Sequence, residues 1–197
     1  MRKFETVHGV VAPLDRADVD TDQIIPKQFL RRIERSGFGP FLFFDWRKDP
    51  AFVLNQPLYQ GAEVLLAGAN FGCGSSREHA AWSLEDAGFR VVVAPSFGDI
   101  FRNNAVKIGL LPVQLPEDQV RQLFDLAQEE PGLKATVDLA AQRVRAGDLS
   151  FRFEIDPFIK HCLLEGLDEV GLTLAHETEI GAYEARRPKW LPVLAGD

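Results

Sequence analysis

The sequence predicts an α/β domain with an appended helical tail, and three observations predict it. A buried apolar run at residues 62–69 leads through a glycine-rich turn into a helical stretch and then into a second apolar run at 90–94. Units of this strand–turn–helix–strand kind pair their strands in parallel through a right-handed crossover. An amphipathic helical pattern follows over 116–128. Finally, 197 residues with 46% apolar content fill one compact core and leave no room for a second of full size.

Each element has its own signal. Residues 6–14 are rich in valine and read as a first strand that stops at Pro13, followed by the acidic loop 15–22 (DRADVDTD). Pro26 suits the first position of a short helix over 26–34, closed by Ser36-Gly37. Residues 38–46 (FGPFLFFDW) are crowded with aromatics but lack a period. The helix after the glycine-rich turn spans 77–87, with Gly88 as its C-terminal stop. A second helix over 97–108 ends at Gly109, and 111–115 is a short strand. In the helix over 116–128, Val120, Leu123, Phe124 and Ala127 recur at helical spacing, and Glu117 and Asp118 sit where the helix dipole favours acids. Residues 136–139 and 149–155 read as strands, and the tail from 156 to 187 as helical in pieces. The organisation is a domain over 1–155 and an extension over 156–197.

Composition narrows the function. A net charge of −7 is against nucleic acid, which needs a basic stripe to neutralise phosphates. It does not exclude a small anionic substrate, because a few local arginines outweigh a diffuse charge. The two cysteines, Cys73 and Cys162, are too few for a disulfide framework and suit a reducing cytoplasm. Residues 1–5 lack the apolar stretch of a signal peptide, and no stretch approaches the roughly 20 apolar residues of a membrane helix.

The informative stretch is 68–80, GANFGCGSSREHA. It leaves a buried strand, bends through Gly72 and Gly74, and enters a helix. Glycines allow a ligand close to the backbone, and the free N–H groups of a helix start attract anions. Ser75 and Glu78 have capping-box spacing, and Arg77 offers the paired donors that grip a carboxylate. A Walker A loop is excluded because Ser75-Ser76 follow Gly74, and a dinucleotide fingerprint because Arg77 stands where its third glycine belongs. A nucleophile elbow fails on glycine spacing. A cysteine hydrolase with Cys73 as nucleophile and His79 or His8 as base stays open, as does the bland reading in which Ser75 caps a helix. Asp22 either orients Arg77 and the serine turn or caps a local turn before Pro26. Asp18 and Asp20 lack the spacing of a calcium loop. His79 reads as structural, while Arg102, Asn103 and Asn104 either shape the site floor or pack their helix.

GANFGCGSSREHA resembles the glycine–serine–arginine signature of the mobile swivelling β/β/α domain of the aconitase superfamily. Residues 18–26 (DVDTDQIIP) resemble that domain's N-terminal motif, and 96–104 (SFGDIFRNN) a third. The tail, 161–168 (HCLLEGLD) with 171–174 (GLTL), resembles the small subunits of bacterial isopropylmalate isomerases in particular. The four motifs run in order from the first strand almost to the C-terminus. The resemblance implies a hydro-lyase that removes water from a substrate such as 2- or 3-isopropylmalate and adds it back in leucine biosynthesis. It implies Ser75 as the base, Ser76 as a partner of a substrate carboxylate or of the alkoxide, and Arg77 as a carboxylate ligand. Gly72, Gly74, Arg31, Arg32 and Phe38 are the expected substrate-binding residues; Gly72 and Gly74 would offer N–H groups to the alkoxide. The segment 29–46 is where such enzymes select substrates, and its aromatics suit an isopropyl group, worth roughly 2 kcal/mol when buried. The bland reading of those aromatics, as core or subunit interface, also stands. No cofactor is expected on this chain. A [4Fe–4S] cluster is expected on a large subunit, since two isolated cysteines cannot hold one. Citraconate, methylmalate or homocitrate-type acids remain alternative substrates, and a carboxylate-binding module without catalysis remains an alternative function.

Overall fold

Seven strands form one sheet in the computed structural model, which describes residues 1–31, 34–75 and 77–187. The strand order is β4-β3-β2-β1-β5-β6-β7. The central strand β1 (Val7–Leu14) joins two halves of different character. Its residues 7–10 pair antiparallel with β5 (Lys134–Asp138), and its residues 11–14 pair parallel with β2 (Val64–Ala67). Beyond β2, the strands β3 (Val91–Ala94) and β4 (Leu111–Gln114) continue in parallel. Beyond β5, β6 (Arg143–Ala146) and β7 (Leu149–Arg152) form an antiparallel meander.

Helices run in chain order: α1 (Thr21–Ile24), α2 (Glu78–Asp86), α3 (Asp99–Ile108), α4 (Glu117–Glu129), α5 (Pro157–Glu165), α6 (Glu169–Leu174) and α7 (Glu177–Ala185). Both faces of the parallel half are covered, which is why β2 and β3 are apolar throughout instead of alternating. Leu65 and Val92 face one core with Ile24, Phe38, Phe71, Leu84 and Phe101. Val64, Leu66, Val91 and Val93 face the other, with Val120, Leu123 and Phe124 of α4, Val144 of β6 and Leu163 of α5.

The predicted α/β class and most elements stand, with four differences. β1 runs through Pro13 to Leu14, so the proline does not end it. The helix predicted over 26–34 is a 3₁₀ turn at Lys27–Arg31, preceded by the four-residue α1; Arg32 and Ile33 lie outside the described residues. The serine-turn helix begins at Glu78 with Arg77 as its N-cap and no side-chain cap bond, so Ser75 does not form the expected capping box. The strand β6 has no counterpart in the sequence reading.

The tail is helical, as predicted, over its described part. Its first helix is integral to the core: Cys162 and Leu163 are buried, Asp156 caps it, and Gly166 ends it in the left-handed conformation. The N-terminal ammonium pairs with Asp168 at 2.9 Å, which ties residue 1 to the start of α6 in the tail. Truncating a fully buried leucine costs about 2–5 kcal/mol. Leu163→Ala is therefore expected to lower unfolding stability by about that amount in a denaturant titration; a loss under about 1 kcal/mol would show that α5 is not part of the cooperative core.

Candidate functional site

In open α/β sheets ligands bind beyond the carboxyl ends of the parallel strands. At that edge of this sheet, the loops leaving β1 and β2 continue to bond to each other after the strands end. Gly68 donates its N–H to the Arg16 carbonyl at 3.0 Å, and Asp18 donates to Ala69 at 2.8 Å. Gly72 donates to Val19 at 2.8 Å, and Thr21 donates to Cys73 at 3.0 Å. The Thr21 hydroxyl donates to the Ser75 carbonyl at 3.0 Å, and the Asn70 amide to Asp18 at 2.8 Å. On the other side, Phe71 donates to Ser96 and Gly98 donates to Phe71. The serine turn is thus held between the loops that follow β1 and β3.

Two glycines make this close approach possible. Gly72 (φ 74) and Gly74 (φ 87) both take left-handed backbone. A Cβ at Gly72 would run into the Phe101 ring, and one at Gly74 into the Asp20 carboxylate. Gly72 is also buried, and its N–H is committed to Val19. It shapes the turn, and the expectation that it offers a donor to substrate or alkoxide is corrected. Gly74 is exposed.

The three acids of residues 18–22 have separate places. Asp20 caps α1 in a capping box: its carboxylate accepts from the Asp22 N–H at 2.6 Å, and Gln23 reaches back to the Asp20 N–H at 2.9 Å. Asp18 accepts from Asn70. Asp22, which is not the cap, projects from α1 and accepts a charge-assisted hydrogen bond from the Arg77 guanidinium. Arg77 is mostly shielded, at 15% side-chain exposure, while Asp22 is 45% exposed. A carboxylate held against a mostly shielded guanidinium fixes its plane and leaves further donors on the fork.

Ser75 is exposed, and its hydroxyl has no hydrogen-bond partner among the described residues. The turn therefore presents a serine hydroxyl two residues from an oriented guanidinium, at an uncapped helix start whose dipole favours negative charge. Ser76 lies outside the described residues, as does Arg32. Arg31 is exposed at the end of its 3₁₀ turn. Phe38 is fully enclosed, packed edge-on to His79 with ring centroids 5.2 Å apart, so it is a core residue and does not present a surface to substrate. Leu42 and Phe43 are equally buried, whereas Phe41 and Phe44 are partly exposed and pack on Phe29. Asn104 lines a cavity of about 490 Å³ beside α5 and α6 that neither Ser75, Asp22 nor Arg77 borders.

Thr21, which bonds the serine turn twice, is the residue of the candidate site that sequence reasoning did not single out. It is 1% exposed, and only its place inside the acidic loop marked it.

The geometry speaks against a cysteine hydrolase. Burial, followed by the charges of Asp20 and Asp18, pushes the Cys73 thiol above its ordinary range. Burial holds the His79 imidazole below its usual value, between Phe38 and Trp82. His8 bonds Thr136 across β1 and β5 at 2.8 Å. Since the thiolate is the reactive form, alkylation of Cys73 is expected to be slow at pH 7 and to rise at a higher pH than for an unhindered thiol. A fast reaction at neutral pH, followed by mass spectrometry, would contradict this.

Among the described residues no cluster of three or more His, Cys, Asp or Glu side chains has the geometry of a metal site, and no helix is long and apolar enough to cross a membrane. Comparison with known proteins adds the family. The aconitase C-terminal domain model matches residues 1–118, and the LeuD_N model matches 121–157. The model of the C-terminal domain of the 3-isopropylmalate dehydratase small subunit matches 169–197. A 3-isopropylmalate dehydratase small subunit from Acidobacterium capsulatum is 58% identical over 93% of this chain and 90% of its own length. One from Rubrobacter xylanophilus is 54% identical over 98% of both chains. A crystal structure of 3-isopropylmalate dehydratase (leuD) from Methanocaldococcus jannaschii superposes with a TM-score of 0.67 at 26% identity, over 91% of this chain and 99% of that one. With the swivelling-domain sheet and the serine–arginine turn in place, the chain belongs to the 3-isopropylmalate dehydratase small-subunit family of the aconitase superfamily.

Proposed function

We propose that this chain is the half of a two-subunit hydro-lyase that supplies a serine base and a carboxylate-binding arginine for the interconversion of 2- and 3-isopropylmalate in leucine biosynthesis. The observation that carries this reading is Ser75: an exposed hydroxyl, spared from capping, beside an arginine that Asp22 holds in place. Ser75 takes the proton from the carbon next to the hydroxyl-bearing carbon during dehydration and returns one during rehydration. An ordinary serine is far too weak a base for this. The Arg77 charge, the start of α2 and the Gly74 N–H supply the favourable field that its alkoxide needs. Arg77 grips a substrate carboxylate with the donors that Asp22 leaves free. Ser76, placed by motif alone, assists the carboxylate or the alkoxide.

The chain's own donor set does not fit a cluster. Cys73 and Cys162 are its only cysteines, and Cys162 is buried in α5. The proposed [4Fe–4S] cluster therefore belongs to the large subunit, where its open iron would act as a Lewis acid on the departing hydroxyl. Within this reading residues 1–155 form the swivelling domain and 156–197 a helical extension whose first helix, α5, packs into the domain's core. The exposed Val170, Leu174 and Tyr183 of α6 and α7 are left for contact with the large subunit. Of the aromatic cluster over 38–46, the partly exposed Phe41, Phe44 and Trp46 are the ones this reading leaves to meet the isopropyl group.

Anaerobic mixing with a cluster-loaded large subunit is expected to give isomerisation that neither chain gives alone. Removing a general base costs about 10²–10⁴-fold, so Ser75→Ala should lose that much kcat while still assembling. Best activity on citraconate would change the substrate and keep the roles; an intact complex with no activity would overturn the reading in favour of a carboxylate-binding module. Arg77→Lys removes the fork but keeps the charge, and it should lower kcat/KM by about 10- to 100-fold, as expected for a lost charged hydrogen bond. An unchanged kcat/KM would remove Arg77 from the substrate site.

A further inference from the structure

We infer that Thr21 is a positioning residue for the reaction, acting through its hydrogen bonds to the peptides on either side of Gly74-Ser75. The inference rests on the proposed role of Ser75 as base. Thr21 is buried, with 1% exposure, yet it is polar and both its donors are spent on one target. Its N–H holds the Cys73 carbonyl and its hydroxyl holds the Ser75 carbonyl, each at 3.0 Å. These are the carbonyls that flank Gly74 and Ser75, so one side chain and its own backbone fix the peptide planes before and after the segment that carries the base.

The position is rigid for a local reason. Thr21 is the first residue of α1, and the Asp20–Gln23 capping box locks that turn. The next residue, Asp22, orients Arg77. A single helical turn thus sets the place of the proposed base through Thr21 and of the proposed carboxylate ligand through Asp22. Stability alone does not call for the Thr21 hydroxyl. The hydroxyl makes one neutral hydrogen bond, to a part-buried carbonyl of an exposed residue, so its loss costs the fold as a whole little. A water in its place cannot hold the turn in register with α1. Loss of the hydroxyl should therefore appear in kcat more than in folding.

The test uses the reconstituted two-subunit enzyme, with kcat expressed per assembled complex. Thr21→Val keeps the shape and removes the hydroxyl. It should lower kcat by about 10- to 100-fold, the scale of a displacement of about 1 Å at a reacting group, with KM and assembly little changed. Thr21→Ser should recover most of the loss. In a Ser75→Ala background, Thr21→Val should produce no further fall, because the group it positions is gone. Thr21→Ala provides the same comparison where Thr21→Val fails to assemble. An equal kcat for Thr21→Val and wild type, or the same fractional loss with and without the Ser75 hydroxyl, would overturn the inference. A Ser75→Ala enzyme as active as wild type would instead remove the base role on which the inference rests.

Discussion

The site depends on backbone pairing that continues past the ends of β1 and β2. Two loops that could each wander are bonded from Arg16 to Thr21 on one side and from Gly68 to Cys73 on the other. The pairing brings the acidic loop against the serine turn, and everything that follows needs this register. It explains the glycines, since a side chain at position 72 or 74 would strike Phe101 or Asp20. It also explains why a buried threonine is tolerated: both of its donors are satisfied across the seam.

From that seam the charges fall into order. Three aspartates lie within five residues, yet each has its own partner: Asp18 the Asn70 amide, Asp20 the start of α1, and Asp22 the Arg77 guanidinium. Separate partners let like charges share one loop without confronting one another. Burial, and after it the charges of Asp20 and Asp18, pushes the Cys73 thiol up, while Ser75 is exposed two residues before Arg77 at the approach to α2. Two nucleophile-bearing residues in one turn thus differ in exposure, and that contrast supports the proposed reading of Ser75 as the reactive group.

Much of this was legible in the sequence because it is local. Uninterrupted apolar runs marked β2 and β3, and helical spacing marked α4, whose apolar positions are the ones that reach the core. The stretch 68–80, with 18–26, 96–104 and the tail motifs, carried the family resemblance. What was not legible depends on distant partners. The spacing of Ser75 and Glu78 fits a capping box, but the helix starts at Glu78, and the Ser75 carbonyl instead accepts from Thr21, 54 residues away in sequence. Gly72 has the sequence context of an available donor, and only the fold shows that Val19 occupies it. Phe38 fits a substrate contact by sequence because nothing in an aperiodic aromatic run shows which rings turn inward. The β6 stretch, RVRA, carries two arginines on its exposed face and gains its strand identity only from β5 and β7.

Native-state hydrogen exchange on the chain alone tests the seam most directly. The amides of Asp18, Thr21 and Gly72 bond across it, and none belongs to a ladder of the seven strands. If the pairing organises the site, these three exchange slowly and open together with the Gly68 amide, as one cooperative unit. Exchange at the rate of an unprotected loop, while β1 and β2 stay protected, would show that the seam does not hold the turn and would contradict the account.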